Sequence, residues 1–261
     1  MRFPDFFILG SYRCGTTSLH MWMGEHPKCQ CPTKPTNKEP GFFERRWGHS
    51  PEWYASLWPP VAADVLLYCS DVRYLLDPRV PARVKAMLPE LRFLVPLRNP
   101  VDRAWSHYWS VHLIPGNPLH RMRAEELAEL AKTVTADTPY VCEKPVDYDR
   151  ALLLVRGMYA RGLRQWFEHY PRDLFHVLKA EDLFTQPKET TNSCFRFLGL
   201  PDHDCGEYDR HDWLRTDPKR PGPAEEVRAV LATFYRPFNE DLYSLVDRDM
   251  GWEQGAGRAT R

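Results

Sequence analysis

The chain carries no excess charge of either sign, since 35 Lys and Arg are matched by 35 Asp and Glu over 261 residues. That balance gives no global attraction to nucleic acid or to an anionic membrane surface, so any basic site must be local. Long hydrophobic runs are also missing. Apolar stretches such as "FFILG" and "VLLYC" are far too short to span a bilayer, and no basic segment followed by a longer apolar one opens the chain. These absences predict a soluble, cytoplasmic protein with neither nucleic acid nor membrane as partner. The seven cysteines are odd in number and irregularly spaced, which excludes a disulfide framework. Cys29 and Cys31 lie near His26, but a Cys-x-Cys step is too tight for the usual paired zinc ligands and no second pair follows, so no metal is expected.

What is present is a globular composition, 43% hydrophobic and 27% charged. One domain is expected over residues 1–252, with a flexible tail at 253–261. The runs "DFFILG", "DVLLYC", "LRFLVPL" and "LFHVLK" are short, β-rich and bounded by turn or charged residues, as buried parallel strands are. Helical patterns separate them at Thr16 to His26, Val80 to Leu88, Val101 to His112 and Tyr148 to Tyr170. This alternation predicts an α/β fold, a central parallel sheet flanked by helices, with ligands beyond the carboxyl ends of the strands. Lys34 to Pro60, and Leu113 to Asp147 around a short helix at Ala124 to Val134, break the alternation and are candidate lids or substrate walls.

The stretch "GSYRCGTTS", Gly10 to Ser18, has the frame of a phosphate-binding loop. Where a nucleotide-hydrolysing loop needs Lys directly after the second glycine, this chain has Thr16, and a cation stands earlier at Arg13. Backbone N–H groups after Gly15, with the hydroxyls of Thr16, Thr17 and Ser18, would hold a phosphate at the positive end of a helix. A glycine turn with a threonine cap reads equally well from this stretch alone. In "FLVPLRNPVDRAWSHYWS" a strand delivers Arg98 to its end, Pro100 starts a helix and Ser106 follows almost two turns along. Arg98 and Ser106 suit a single anionic group, although an Arg98–Asp102 pair at a helix start fits the same residues.

Together these motifs resemble the sulfotransferases that use 3'-phosphoadenosine 5'-phosphosulfate (PAPS), with the heparan-sulfate-type branch most similar. Such enzymes carry a "KxGTT" loop, a "KEP.FF" segment and an "RNPxDRAxSxY" segment in that order. This chain reads "RCGTTSLHMWMGEHP", "KEPGFF" at Lys38 to Phe43, and "RNPVDRAWSHY" at Arg98 to Tyr108. "GMYARGLRQWFEHYP" and the later "FLGLP" extend the likeness to about residues 5–250.

The resemblance implies a P-loop-like nucleotide-binding architecture and a PAPS donor that leaves as 3'-phosphoadenosine 5'-phosphate (PAP). It assigns Arg13, Cys14, Gly15, Thr16, Thr17 and Ser18 to the donor's 5'-phosphate, and Arg98 and Ser106 to its 3'-phosphate. Tyr159 would frame the nucleotide, though it also fits a core aromatic, and Arg215 would lie in a late covering loop. Glu39 is similar to the catalytic glutamate and Lys38 would contact the transferring group. Without the resemblance, Lys38 and Glu39 read as a solvated pair before an apolar Phe42–Phe43 anchor. A histidine base, as in phenol sulfotransferases, has no matching segment around His49, His107 or His112.

Two positions depart from the family. Arg13 stands where heparan-type enzymes usually have Lys, and remains an electrostatic clamp. Cys69 stands where Lys often precedes the serine. Arg45, Arg46, Trp47, Trp53, Tyr54 and Trp58 are candidate acceptor walls, although packing explains most of the aromatics. Aromatic faces with few cations predict a small hydroxylated acceptor, a glycoside or other secondary metabolite, in preference to a polysaccharide. Two other classes fit parts of the sequence: a P-loop kinase with Asp71 as its magnesium ligand, and a catalytically silent PAPS-binding protein.

Overall fold

A computed structural model describes residues 1–33, 38–112, 118–140, 150–206 and 222–253. The chain folds as two compact units, Met1–Leu97 with Gln165–Arg215, and Arg98–Arg164 with Thr216–Arg261. Among the described residues no helix is long and apolar enough to cross a membrane.

The first unit is built on five parallel strands. They are β1 (Phe6–Ile8), β2 (Cys29–Gln30), β3 (Leu66–Ser70), β4 (Arg92–Leu97) and β5 (Phe175–Lys179), in the spatial order β2-β3-β1-β4-β5. Phe6 pairs in register with Tyr68 on one side and Arg92 on the other, so β1 is central. All three of its residues are buried, as expected of a strand covered on both faces.

Side chains alternate across that strand. Phe6 and Ile8 pack with Leu19, Trp22 and Met23 of α1 (Thr16–Glu25) and with Cys194 and Phe195 of a later helix, Pro187–Phe197. Phe7 faces the other way, with its ring 6.0 Å from Phe43 and 5.9 Å from Tyr74. On this second face Trp166 Nε1 donates to Tyr74 O at 3.1 Å, so its buried polar end is satisfied. Two short helices, α2 (Pro51–Ala55) and α3 (Val80–Met87), complete the first stretch of this unit.

The four apolar runs all form strands, and the parallel sheet flanked by helices is the architecture that their alternation predicts. Strand β2 adds a two-residue edge too short for any period to mark. His26 and Cys29 serve the core there. The His26 ring meets Pro201 O at 3.2 Å and accepts from Lys28 N at 3.0 Å, and burial pushes the Cys29 thiol up to about 12.

The second unit is helical. It contains α4 (Pro100–His112), α5 (Ala124–Leu130), α6 (Leu152–Val155), the start of α7 (Tyr159–Phe167) and, after α8 (Ala180–Thr185) and α9 (Pro187–Phe197) of the first unit, α10 (Glu225–Val246). The helix expected over Tyr148 to Tyr170 is broken, with α6 ending at Val155 and α7 starting at Tyr159. Gly157 lies in the gap, where an added Cβ would stand 2.7 Å from Tyr235 Cε1. The Tyr235 hydroxyl donates to Leu154 O at 2.9 Å, which holds that ring against the break. Helix α10 exceeds anything singled out from the sequence, because Pro237 interrupts its pattern. The expected tail beyond Glu253 lies outside the described residues.

Gly157→Ala is therefore expected to lower unfolding free energy by about 1–3 kcal/mol through overpacking against Tyr235. Urea unfolding followed by circular dichroism measures it, and wild-type stability would show that the gap tolerates a methyl group.

Candidate functional site

The loop between β1 and α1 turns through two left-handed residues, Arg13 (φ 69) and Gly15 (φ 76). A side-chain-bearing residue in that region costs about 1–3 kcal/mol and persists only where the surroundings impose it. Gly10 is needed for a different reason. A Cβ there would lie 2.6 Å from Thr16 Cγ2 and 2.9 Å from Pro96 Cγ, so the end of β1, the start of α1 and β4 close on it. No side chain caps α1 and no acidic residue stands in its first turn. Its leading N–H groups keep the positive end of the helix dipole for an anion.

The cation missing after Gly15 arrives from elsewhere in the chain. Lys38 Nζ donates to Thr17 Oγ1 at 2.9 Å and to Thr16 Oγ1 at 3.2 Å. Its backbone is tied to the carboxyl end of β3, where Ser70 N donates to Lys38 O at 3.1 Å. Burial lowers the Lys38 pKa, Glu39 pulls it back up, and the Arg13 charge lowers it further. Both cations therefore bear on the loop. Cys14 is fully buried, with its thiol 3.9 Å from Tyr12 O of the same turn.

Glu39 follows directly, its side chain 32% exposed, with Oε1 3.4 Å from Lys38 Nζ and Oε2 4.0 Å from Arg73 Nη2. Behind it lies a buried network of which the sequence had marked only Asp71, as a candidate magnesium ligand. Asp71 accepts Arg73 Nε at 3.0 Å and Arg73 Nη2 at 2.8 Å, and also takes Arg73 N at 3.2 Å and Gly41 N at 3.0 Å. Glu44 Oε2 lies 3.0 Å from the same Arg73 Nε. Burial raises the pKa of both Asp71 and Glu44. The only signal in the sequence was an Asp-x-Arg step at a strand end.

This network corrects the kinase alternative. Each Asp71 oxygen holds two donors and the side chain is fully buried, so the carboxylate that magnesium would need is engaged. Cys69 is turned into the core, its Sγ 3.7 Å from the Tyr54 hydroxyl and its thiol pushed up by burial.

The aromatic segment divides into core and surface. Tyr54 is fully buried and stacks on Phe42 at 4.4 Å, and Trp58 Nε1 donates to Tyr68 O at 3.1 Å. Trp47 is 40% exposed with the Arg83 guanidinium 5.3 Å from its ring. Trp53 has Arg46 at 5.9 Å and the His49 ring stacked at 4.3 Å.

In the second unit Asn99 Oδ1 caps α4 by accepting from Val101 N at 3.0 Å, and Pro100 opens the helix. Arg98 precedes this cap and Ser106 is buried along the helix. Asp102, the partner weighed for Arg98, receives Arg228 Nη2 at 2.9 Å. Tyr159 is buried and donates to Arg98 O at 2.8 Å, so a core aromatic fixes the backbone of the arginine. Arg215 lies outside the described residues.

A parallel sheet with β1 at its centre and a glycine turn between β1 and α1 defines a P-loop-like nucleotide-binding α/β protein. Residues 3–214 match the model of the sulfotransferase domain, and the chain belongs to that family. It is 27% identical to mouse (Mus musculus) heparan sulfate glucosamine 3-O-sulfotransferase 6 over 97% of this chain and 74% of that protein. It is 29% identical to the human bifunctional heparan sulfate N-deacetylase/N-sulfotransferase 1 over 94% of this chain and 30% of the relative. The crystal structure of a sulfotransferase from Alicyclobacillus acidocaldarius has the same fold, with a TM-score of 0.73 at 23% identity over 97% of this chain and 99% of that one.

Two outcomes follow from the loop. Lys38→Met should weaken PAP binding about 10- to 100-fold, the scale of one or two charged hydrogen bonds. Calorimetry reads this, and undiminished affinity would remove Lys38 from the cradle. The second outcome concerns His20 of α1, whose pKa burial lowers from 6.5 to about 3, with help from Lys38. Its folded pKa is depressed, so below pH 6.5 the unfolded chain takes up a proton that the folded one refuses. Stability should fall by up to about 1.4 kcal/mol per pH unit between pH 6.5 and 3. Urea titrations should show a shallower fall in His20→Phe, and identical slopes would mean that His20 does not drive it.

Proposed function

We propose that the protein transfers a sulfuryl group from PAPS to a hydroxyl of a small acceptor, a glycoside or other secondary metabolite. The observation that carries this is Lys38 seated on the hydroxyls of Thr16 and Thr17, beside a loop that also holds Arg13. A 5'-phosphate in that cradle would meet the leading N–H groups of α1, the hydroxyls of Thr16, Thr17 and Ser18, and two cations.

PAPS supplies a sulfuryl group whose S–O bond to the 5'-phosphate breaks, with the electron pair passing to the phosphate oxygen. Arg13 and Lys38 offset the charge that gathers there. Glu39 takes the acceptor's hydroxyl proton on a carboxylate oxygen as the acceptor oxygen bonds to sulfur. The family resemblance gives the donor's 3'-phosphate to Arg98 and Ser106, and a covering role to the loop of Arg215. Tyr159 acts through the Arg98 backbone. The chemistry is positioning and charge compensation, and the residues assigned to it include no metal ligand.

The acceptor reading is supported by exposed Trp47 and half-buried Trp53, aromatic faces accompanied by Arg83 and Arg46, on a chain without net charge. A second reading, sulfation of a polysaccharide, is favoured by the names of the mouse and human relatives, which act on heparan sulfate. Labelled PAPS offered with heparan oligosaccharides, small glycosides and phenols distinguishes the two, and turnover confined to the oligosaccharides would sink the small-acceptor reading. Absence of turnover with every acceptor, despite PAP binding, would mark a silent binder. In the same assay Glu39→Gln should lose about two to four orders of magnitude in single-turnover rate with PAP affinity nearly unchanged.

A further inference from the structure

We propose that Arg73 is the positioning residue of Glu39, and that Asp71 and Glu44 hold Arg73 so that it orients this carboxylate without capping it. The inference rests on the reading of Glu39 as the base.

Arg73 is 4% exposed and is surrounded by three carboxylates. One would suffice to balance a buried guanidinium, and the Asp71 fork already does so with two short bonds. The other two need a separate account. Glu44, 3% exposed, has Oε2 3.0 Å from Nε as an ion pair without a hydrogen bond, because the Nε proton goes to Asp71, whereas Glu39, 32% exposed, faces Nη2 only at 4.0 Å. Lys38 stands 3.4 Å from the other Glu39 oxygen. Both separations exceed the roughly 2.7–3.2 Å of a hydrogen bond. The two cations therefore fix the direction of the carboxylate electrostatically while leaving its lone pairs able to accept a proton.

A guanidinium lacking other partners would close on Glu39 in a bidentate bond and occupy both oxygens. Asp71 and Glu44 draw Arg73 the other way. The same arrangement serves after transfer. Once Glu39 has taken the acceptor's proton and become neutral, Arg73 is still balanced by Asp71 and Glu44, so proton uptake strands no buried cation. The backbone around Glu39 is held to one strand end, through Ser70 N to Lys38 O at 3.1 Å and Gly41 N to Asp71 Oδ2 at 3.0 Å. Arg73 thus reads the position of Glu39 from a fixed frame.

The test is a double-mutant cycle on the full chain, with single-turnover transfer from labelled PAPS to the fastest acceptor of the panel above and PAP affinity measured alongside. Arg73→Lys keeps a cation but loses the planar fork, and should cut the transfer rate about 10- to 100-fold while PAP affinity stays within about two-fold. In a Glu39→Gln background the same change should cost less than about two-fold, because its route is already gone. A loss that multiplies fully with Glu39→Gln, a loss confined to PAP affinity, or an unchanged rate would each overturn the proposal. If Arg73→Lys does not fold, Arg73→Gln with Asp71→Asn removes the buried pair together and must give the same pattern. Wild-type turnover in Glu39→Gln alone would instead refute the base assignment, and the Arg73 role with it.

Discussion

The ammonium of Lys38, resting on the hydroxyls of Thr16 and Thr17, is the contact on which the candidate site depends. It joins three pieces of the first unit that are distant in sequence: the turn after β1, the segment of Lys38 and Glu39, and the end of β3. A cation brought in on a separate segment has a property that one on the helix itself lacks. Its neighbour in sequence, Glu39, comes with it, so charge compensation and the proposed base are delivered to the cradle by one stretch of backbone. That stretch is held from behind by Ser70 and Asp71, which follow one another at the strand end.

The sheet and the glycine turn after β1 were legible in the sequence because their signals are local. Phe6–Ile8, Leu66–Ser70, Arg92–Leu97 and Phe175–Lys179 are apolar runs between turn residues, and Gly10 and Gly15 mark places where backbone geometry admits little else. What was not legible is long-range or too short to carry a period. Lys38 meets Thr16 from 22 residues away, and nothing in "KEPGFF" says where its side chain goes. Arg73 belongs to an ordinary-looking strand exit, and becomes informative only once Asp71, Glu44 and Glu39 surround it. Strand β2 and the break before Tyr159 escaped for similar reasons, the second because Gly157 answers to Tyr235 far along the chain.

The second unit shows a different use of buried charge. Arg103 and Arg156 are almost completely enclosed, and their guanidiniums lie 3.4 Å from Nδ1 and 3.0 Å from Nε2 of His107. Arg103 also donates to the Leu153 carbonyl. These contacts knit α4 to α6 with directional bonds, where apolar packing alone would leave rotation about the helix axis less defined. Ser106 stands on the body of α4, and Arg98 lies just before the Asn99 cap, its backbone carbonyl held by the Tyr159 hydroxyl at 2.8 Å.

Arg13 carries two demands that pull toward different amino acids. Its left-handed backbone is the conformation that glycine, asparagine and aspartate enter most readily, and its charge is what the cradle is proposed to use. No common residue satisfies both at low strain. The position is consequently a narrow one for variation: drift toward the conformationally easy residues discards the cation, and drift among cations retains the strain. Glycine at this position would relieve the strain and remove the cation in one step, so relief of the backbone there works against the charge the cradle is proposed to use.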